Sequence, residues 1–178
     1  MFAHPFVAKK ALRMTRIAIA TADSISRTTI LDGDPAGGQV DAFRHCYWMA
    51  LLITKMNPKK ALKLGKAHEK GNYKSWKKGL LEDSLRADSI LCVMDLRNNT
   101  TGIKIGKEYL ADTSSKKKSL EQIVLENVKN GKMVMVKKNA MIQPTDSTGR
   151  IIIVENYKTK WYVPKVLVNS DYKEPPAG

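Results

Sequence analysis

The chain has 178 residues, 43% of them hydrophobic and 27% charged, which suits one domain with its own core, or one domain and a small appendage, and excludes a wholly disordered polymer. Its 31 Lys and Arg against 17 Asp and Glu leave a net charge of +14. That balance favours an anionic partner such as nucleic acid, a phospholipid surface or an acidic polymer, and it equally serves solubility.

His4-Pro5 opens a helical pattern to about Ser26, with Val7, Ala11, Met14, Ala18 and Ala22 at helical spacing. Lys9, Lys10, Arg13 and Arg16 ahead of IAIATA imitate a secretion signal, but the apolar run is shorter than the roughly 7–15 residues such a segment needs. The expected location is cytoplasmic or, if a leader has been removed, secreted or at the cell envelope. LDGDPAGGQ at 31–39 stops the first helix, since Gly and Pro at that density cannot continue it. A second helix spans about 40–56. A third starts at Pro58, with Asn57 as its cap, and closes near Gly71.

A fourth helix runs from about Glu82 to Asn98, after which Gly102 and Gly106 weaken its continuation. Ser119 and Gln122 read as a capping box for LEQIVLENVKN, with Gly131 at the far end. MVMV at 133–136, RIIIVENY at 150–157 and WYVPKVLV at 161–168 then favour a small β-ribbon or meander. The expected fold is mainly α, a compact domain of about five helices. Residues 1–131 form the helical domain carrying a polar site, 132–170 a β-rich extension packed on it, and 171–178 a loose tail. No window reaches the roughly 18 apolar residues of a transmembrane span. Two cysteines, Cys46 and Cys92, are too few for a disulfide framework; reduced buried thiols are the default, and one bridge between them is the alternative.

The second helix, DAFRHCYWMALL, is apolar on nearly every side, yet Asp41, Arg44 and His45 stand near its start. Charged groups on a buried helix must be paired, ligated or reached by substrate. At about 100° per residue Asp41, His45, Trp48 and Leu52 share a stripe, with Arg44 beside it. On the third helix Lys59, Lys63, Lys66 and Lys70 share one face, while Ala61, Leu64, Gly65 and His68 share the other and Glu69 flanks it. Gly65 leaves room there for another chain segment. On the fourth, Asp95, Asn99 and Gly102 line up, with Asn98 adjacent. Each has a bland reading: a histidine hydrogen-bonded in the core, Asp41 as a cap, the asparagines as a helix ending. Their coincidence points to one site.

The elements Asp41-Ala42-Phe43-Arg44-His45-Cys46-Tyr47-Trp48, Ala67-His68-Glu69 and Asp95-Leu96-Arg97-Asn98-Asn99-Thr100-Thr101-Gly102 resemble an uncharacterised bacterial family of small helical domains with the pattern D-A-x-R-H-x-x-W, A-H-E and D-x-x-N-N-x-x-G. The resemblance covers about Pro5 to Gly106. It implies a domain similar to secreted or toxin-associated proteins and brings no settled activity.

Two functions compete. One is a hydrolase-like enzyme acting on an anionic substrate, a phosphodiester or phospholipid. His68 would be its general base or acid, oriented by Glu69 or Asp95, with His45 and Asp41 completing the catalytic set. Arg44 would hold the anion, and Asn98, Asn99 and Trp48 would contact substrate. A metal-assisted version would place a divalent ion among Asp41, His45, His68 and Asp95, since residues four apart on a helix can share one ion. The zincin, nucleotide-loop and serine-elbow motifs are absent, so no other cofactor is expected.

The second function is a non-enzymatic basic domain that binds nucleic acid or makes peripheral contact with an anionic membrane, its Asp/Arg/His/Asn cluster a structural network. Nine Lys and one acid lie between Lys55 and Lys78, with Tyr73 and Trp76 interleaved. A sticky strand edge in the ribbon would allow docking on a larger neighbour, with self-pairing as the simpler alternative. No motif sets an oligomeric state.

Overall fold

The computed structural model describes residues 5–80, 86–114 and 118–174. The helices are α1 (Pro5–Ser26), α2 (Gln39–Ile53), α3 (Pro58–Lys77), α4 (Ser89–Ala111) and α5 (Leu120–Lys129). A two-stranded antiparallel sheet follows, β1 (Val134–Val136) with β2 (Leu167–Asn169), in the register Val134 to Asn169 and Val136 to Leu167. The fold is mainly α, with a small ribbon.

α2 is the central element and packs against the other four helices. Phe43, Met49 and Leu52 are fully buried along it, each contributing roughly 1.5–3 kcal/mol of hydrophobic stabilisation. Its start is closed from a distance. Gly38 offers no side-chain cap, and Asp32 instead accepts the N–H groups of Gln39 and Val40 at 2.7 and 3.3 Å. LDGDPAGGQ is thus the capping loop of the central helix, and Asp41 is released from that duty.

α3 begins as read, with Asn57 accepting from the Lys60 N–H at 2.9 Å and Pro58 in the first turn. It does not close near Gly71 but continues to Lys77. The extra turns carry Tyr73 and Trp76, which stack on each other at 5.8 Å and meet Trp161 at 4.9 and 5.2 Å. This contact with the C-terminal segment outweighs the roughly 1 kcal/mol that a helical glycine costs.

α4 differs at both ends from the span read in the sequence. Glu82 lies outside the described residues; the helix starts at Ser89, where Asp88 accepts from the N–H groups of Ile90 and Leu91 at 2.8 and 3.0 Å. It then runs through Gly102 and Gly106 to Ala111, so Asn98 and Asn99 are mid-helix and not an ending. A Cβ at Gly102 would sit 2.2 Å from the Cys46 carbonyl oxygen, and one at Gly106 2.7 Å from Ile53 Cβ. These glycines let α4 press its backbone onto α2. Going from Cys46 to Ile53 along α2 matches going from Gly102 to Gly106 along α4, so the two helices run in the same sense.

α5 has the capping box of Ser119 and Gln122, and Gly131 beyond it has a positive φ. The ribbon is smaller than read. RIIIVENY forms no strand: Ile151 makes a single bridge to Thr145, and Val154–Tyr157 is a 3-10 turn. Of WYVPKVLV only Leu167 and Val168 enter β2. Pro164 has no N–H for a ladder, which limits pairing upstream. Cys46 and Cys92 are both free, so the bridge between them is not formed. Within the tail, residues 175–178 lie outside the described part. Among the described residues no helix is long and apolar enough to cross a membrane.

Candidate functional site

The close crossing of α2 and α4 brings the first turns of α2 against the middle of α4, and the site forms there. Asp41 and His45 face Asp95 across the junction; all three side chains are at least nine-tenths buried. His45 Nε2 stands 3.5 Å from Asp41 Oδ1 and 3.4 Å from Asp95 Oδ1, both longer than an ordinary N–H···O bond. Asp41 is fixed on both oxygens: Oδ2 accepts the Gly37 N–H at 2.8 Å, and Oδ1 accepts Arg44 Nη2 at 2.6 Å. Arg44 keeps 23% of its side-chain exposure and marks the solvent side.

Burial, then the nearby Arg44 charge, then His68, hold the His45 imidazole well below its ordinary pKa, while the Asn99 amide acts in the opposite sense. The ring is therefore neutral at physiological pH. His45 Nδ1 and both amide atoms of Asn99 are buried, and among the described residues no well-aligned hydrogen bond reaches them, the two side chains being each other's near neighbours. Asn99 gains its place from Gly65, where a Cβ would lie 3.1 Å from its Nδ2. Gly65 thus admits a neighbouring segment, as its position on the inner face of α3 implied.

A cavity of about 40 Å³ is lined by Asp41, Arg44, His45 and Asp95 with Pro35, Ala36, Asn72, Ala87, Leu91 and Cys92. It holds one or two water-sized groups. Burial, then the Glu69, Asp95 and Asp88 carboxylates, push the Cys92 thiol far up, so it is protonated. Sharing Ala36 and Ala87 with this cavity is a groove of about 530 Å³ under the C-terminal segment. Its walls combine Ile142, Ile151, Ile153 and Val163 with a charged lining in which Arg86, Lys138, Lys158, Lys160 and Lys165 outnumber Asp88 and Glu155.

The remaining sequence candidates are spread around this centre. His68 is half-buried, its ring 5.8 Å from that of His45 and 5.7 Å edge-on from Trp48. Glu69 is buried and accepts from Asn72 Nδ2 at 3.2 Å. Trp48 donates through Nε1 to Thr15 Oγ1 at 3.0 Å, which ties α2 to α1. Asn98 is occupied by the ribbon: its Nδ2 donates to the Val134 carbonyl at 2.8 Å and its Oδ1 accepts the Val134 N–H at 2.9 Å. Of the sequence candidates only Asp41, Arg44, His45 and Asp95 line the cavity; Trp48, His68, Glu69, Asn98 and Asn99 do not.

Sequence reasoning missed Asn72 and Cys92, although each lies three residues from a candidate on the same helical face, Glu69 and Asp95. Closing α3 at Gly71 hid the first. It also missed two ion pairs that fasten the C-terminal segment, Lys165 with Asp88 at 2.7 Å and Lys138 with Asp34. These join residues far apart in sequence and leave no local signal.

Residues 1–132 match the family described as a domain of unknown function, DUF6973. No curated protein and no solved structure matches the chain.

Proposed function

The chain belongs to DUF6973, a domain of unknown function, and from that premise we propose that it is a hydrolase-like enzyme acting on an anionic ester, a phosphodiester or phospholipid. The observation that carries this reading is the convergence of Asp41, Arg44, His45 and Asp95 on one cavity. A neutral imidazole facing two carboxylates suits the activation of water. Its lone pair can take a proton or a Lewis-acidic ion, and the carboxylates stabilise the positive charge that either adds. Arg44, held to Asp41 through Nη2 and lining the cavity, would contact the anionic group of the substrate through its guanidinium. His68, half-buried with its ring 5.8 Å from that of His45 but outside the cavity lining, would act only on the leaving-group side in this reading.

The cavity admits only the reacting group, so the body of the substrate lies in the adjoining groove. Apolar walls with cationic side chains favour an amphiphile such as a phospholipid over a nucleic acid. The test is release of product from phosphatidylglycerol vesicles and from a soluble phosphodiester by the purified full chain. Turnover of either supports the reading, with Arg44→Gln raising KM. Silence on both contradicts it.

One observation favours a second reading, a basic binding module with a structural network. Asp41, His45 and Asp95 are almost entirely buried, while Lys59, Lys63, Lys66 and Lys70 form an exposed stripe on α3. Tyr73 and Trp76 have become packing partners of Trp161, which leaves that stripe without the stacking platform a nucleic-acid site would use.

A further inference from the structure

The geometry points to a divalent first-row metal ion of the Zn²⁺ class, bound by Asp41, His45 and Asp95. This deepens the proposed hydrolase reading, because it names what would activate water at that site. The three residues come from two helices and offer one imidazole nitrogen and two carboxylate oxygens within 4.8 Å of one another. Tetrahedral zinc with bonds of about 2.0–2.2 Å spaces its ligand atoms roughly 3.3–3.6 Å apart. His45 Nε2 lies 3.5 and 3.4 Å from the Asp41 and Asp95 oxygens, inside that range.

A proton explains the arrangement less well. A ring nitrogen carries at most one hydrogen, and sharing it between two carboxylates makes only a weak three-centre bond. The spacing is also too long for a good hydrogen bond to either. An ion at the centre of the three atoms serves all of them.

The surroundings fit the same ligand. Asp41 is held from behind by the Gly37 N–H, which orients the carboxylate as partners of metal ligands do. Its Oδ1 already accepts Arg44, but a carboxylate oxygen has two lone pairs and can serve both. The adjoining cavity of about 40 Å³ has room for the ion's remaining water. An imidazole among the ligands selects against Ca²⁺ and Mg²⁺, which take oxygen. Glu69 and His68 lie nearby without supplying a ligand atom to the set.

The experiment is a ZnCl₂ titration of the chelator-stripped full chain, followed by calorimetry and by the ¹⁵N resonances of its three histidines, His4, His45 and His68. One equivalent of zinc should bind, with a coordination shift at the His45 ring alone. Asp95→Asn, with folding checked by circular dichroism, should weaken binding at least tenfold. No binding, coordination at His4 or His68 instead, or unchanged affinity in folded Asp95→Asn would overturn the assignment. Zinc bound at His45 without turnover of any ester would leave the metal site standing and sink the hydrolase reading. Turnover by stripped protein that binds no zinc would do the reverse.

Discussion

His45 is the residue on which the site turns, and its environment makes a thermodynamic prediction. Burial holds its pKa far below the ordinary value of 6.5, so the unfolded chain takes up a proton near that pH while the metal-free folded chain does not. The contribution of His45 to stability is therefore intact above pH 6.5 and falls as pH drops from there towards the folded pKa. Chemical denaturation of chelator-stripped protein between pH 8 and pH 5 should show this acid-side loss, and His45→Gln should reduce it. A pH-independent midpoint would contradict the neutral ring. Much of this wall was legible in the sequence, because Asp41, Arg44 and His45 have helical spacing on an apolar helix. Which of the histidines meets the carboxylates was not. Spacing gives the face on which His68 lies, but the depth at which helices cross decides that His45 meets both carboxylates. The partner of Asn98 was out of reach of local spacing for a similar reason: Val134 is 36 residues away.

Glycine has opposite meanings in two of the helices, and substitution separates them. In a helix, Gly→Ala gains about 1 kcal/mol from propensity. At Gly71, exposed and with nothing near a new Cβ, that gain should appear as a higher melting temperature. At Gly102 the methyl would meet the Cys46 carbonyl oxygen at 2.2 Å, and overpacking of about 1–3 kcal/mol or more should outweigh the gain. Gly102→Ala should lower the melting temperature and, by tilting α4 away from α2, separate Asp95 from His45. Equal effects of the two substitutions would contradict the close crossing. The helical elements were readable where a cap or a periodic face marked them, as at Asn57 and Ser119. The ends of α3 and α4 were not, because contacts beyond the element override the local preference of Gly71, Gly102 and Gly106.

Across the whole molecule, a charge of +14 is concentrated in part on the exposed lysine stripe of α3. Each lysine near an anionic membrane surface contributes about 1 kcal/mol. Replacing Lys63, Lys66 and Lys70 together by Gln should weaken partitioning onto phosphatidylglycerol vesicles by up to about 100-fold and flatten its salt dependence. Unchanged partitioning would remove the stripe from substrate capture. The C-terminal segment, which the family match does not reach, closes the groove beside the cavity through Lys165 with Asp88 and Trp161 with Trp76. Composition forecast a β-rich extension, but not these anchors. The central claim is that Asp41, His45 and Asp95 act on substrate and do not merely join helices. Its most direct test measures turnover and melting temperature on one preparation of Asp95→Asn, a substitution of nearly equal volume. The expected result is a melting temperature within a few degrees of the parent and turnover lower by about 100-fold or more. A folded variant with parental turnover, or one whose lost turnover only tracks its lost folded fraction, would contradict the claim.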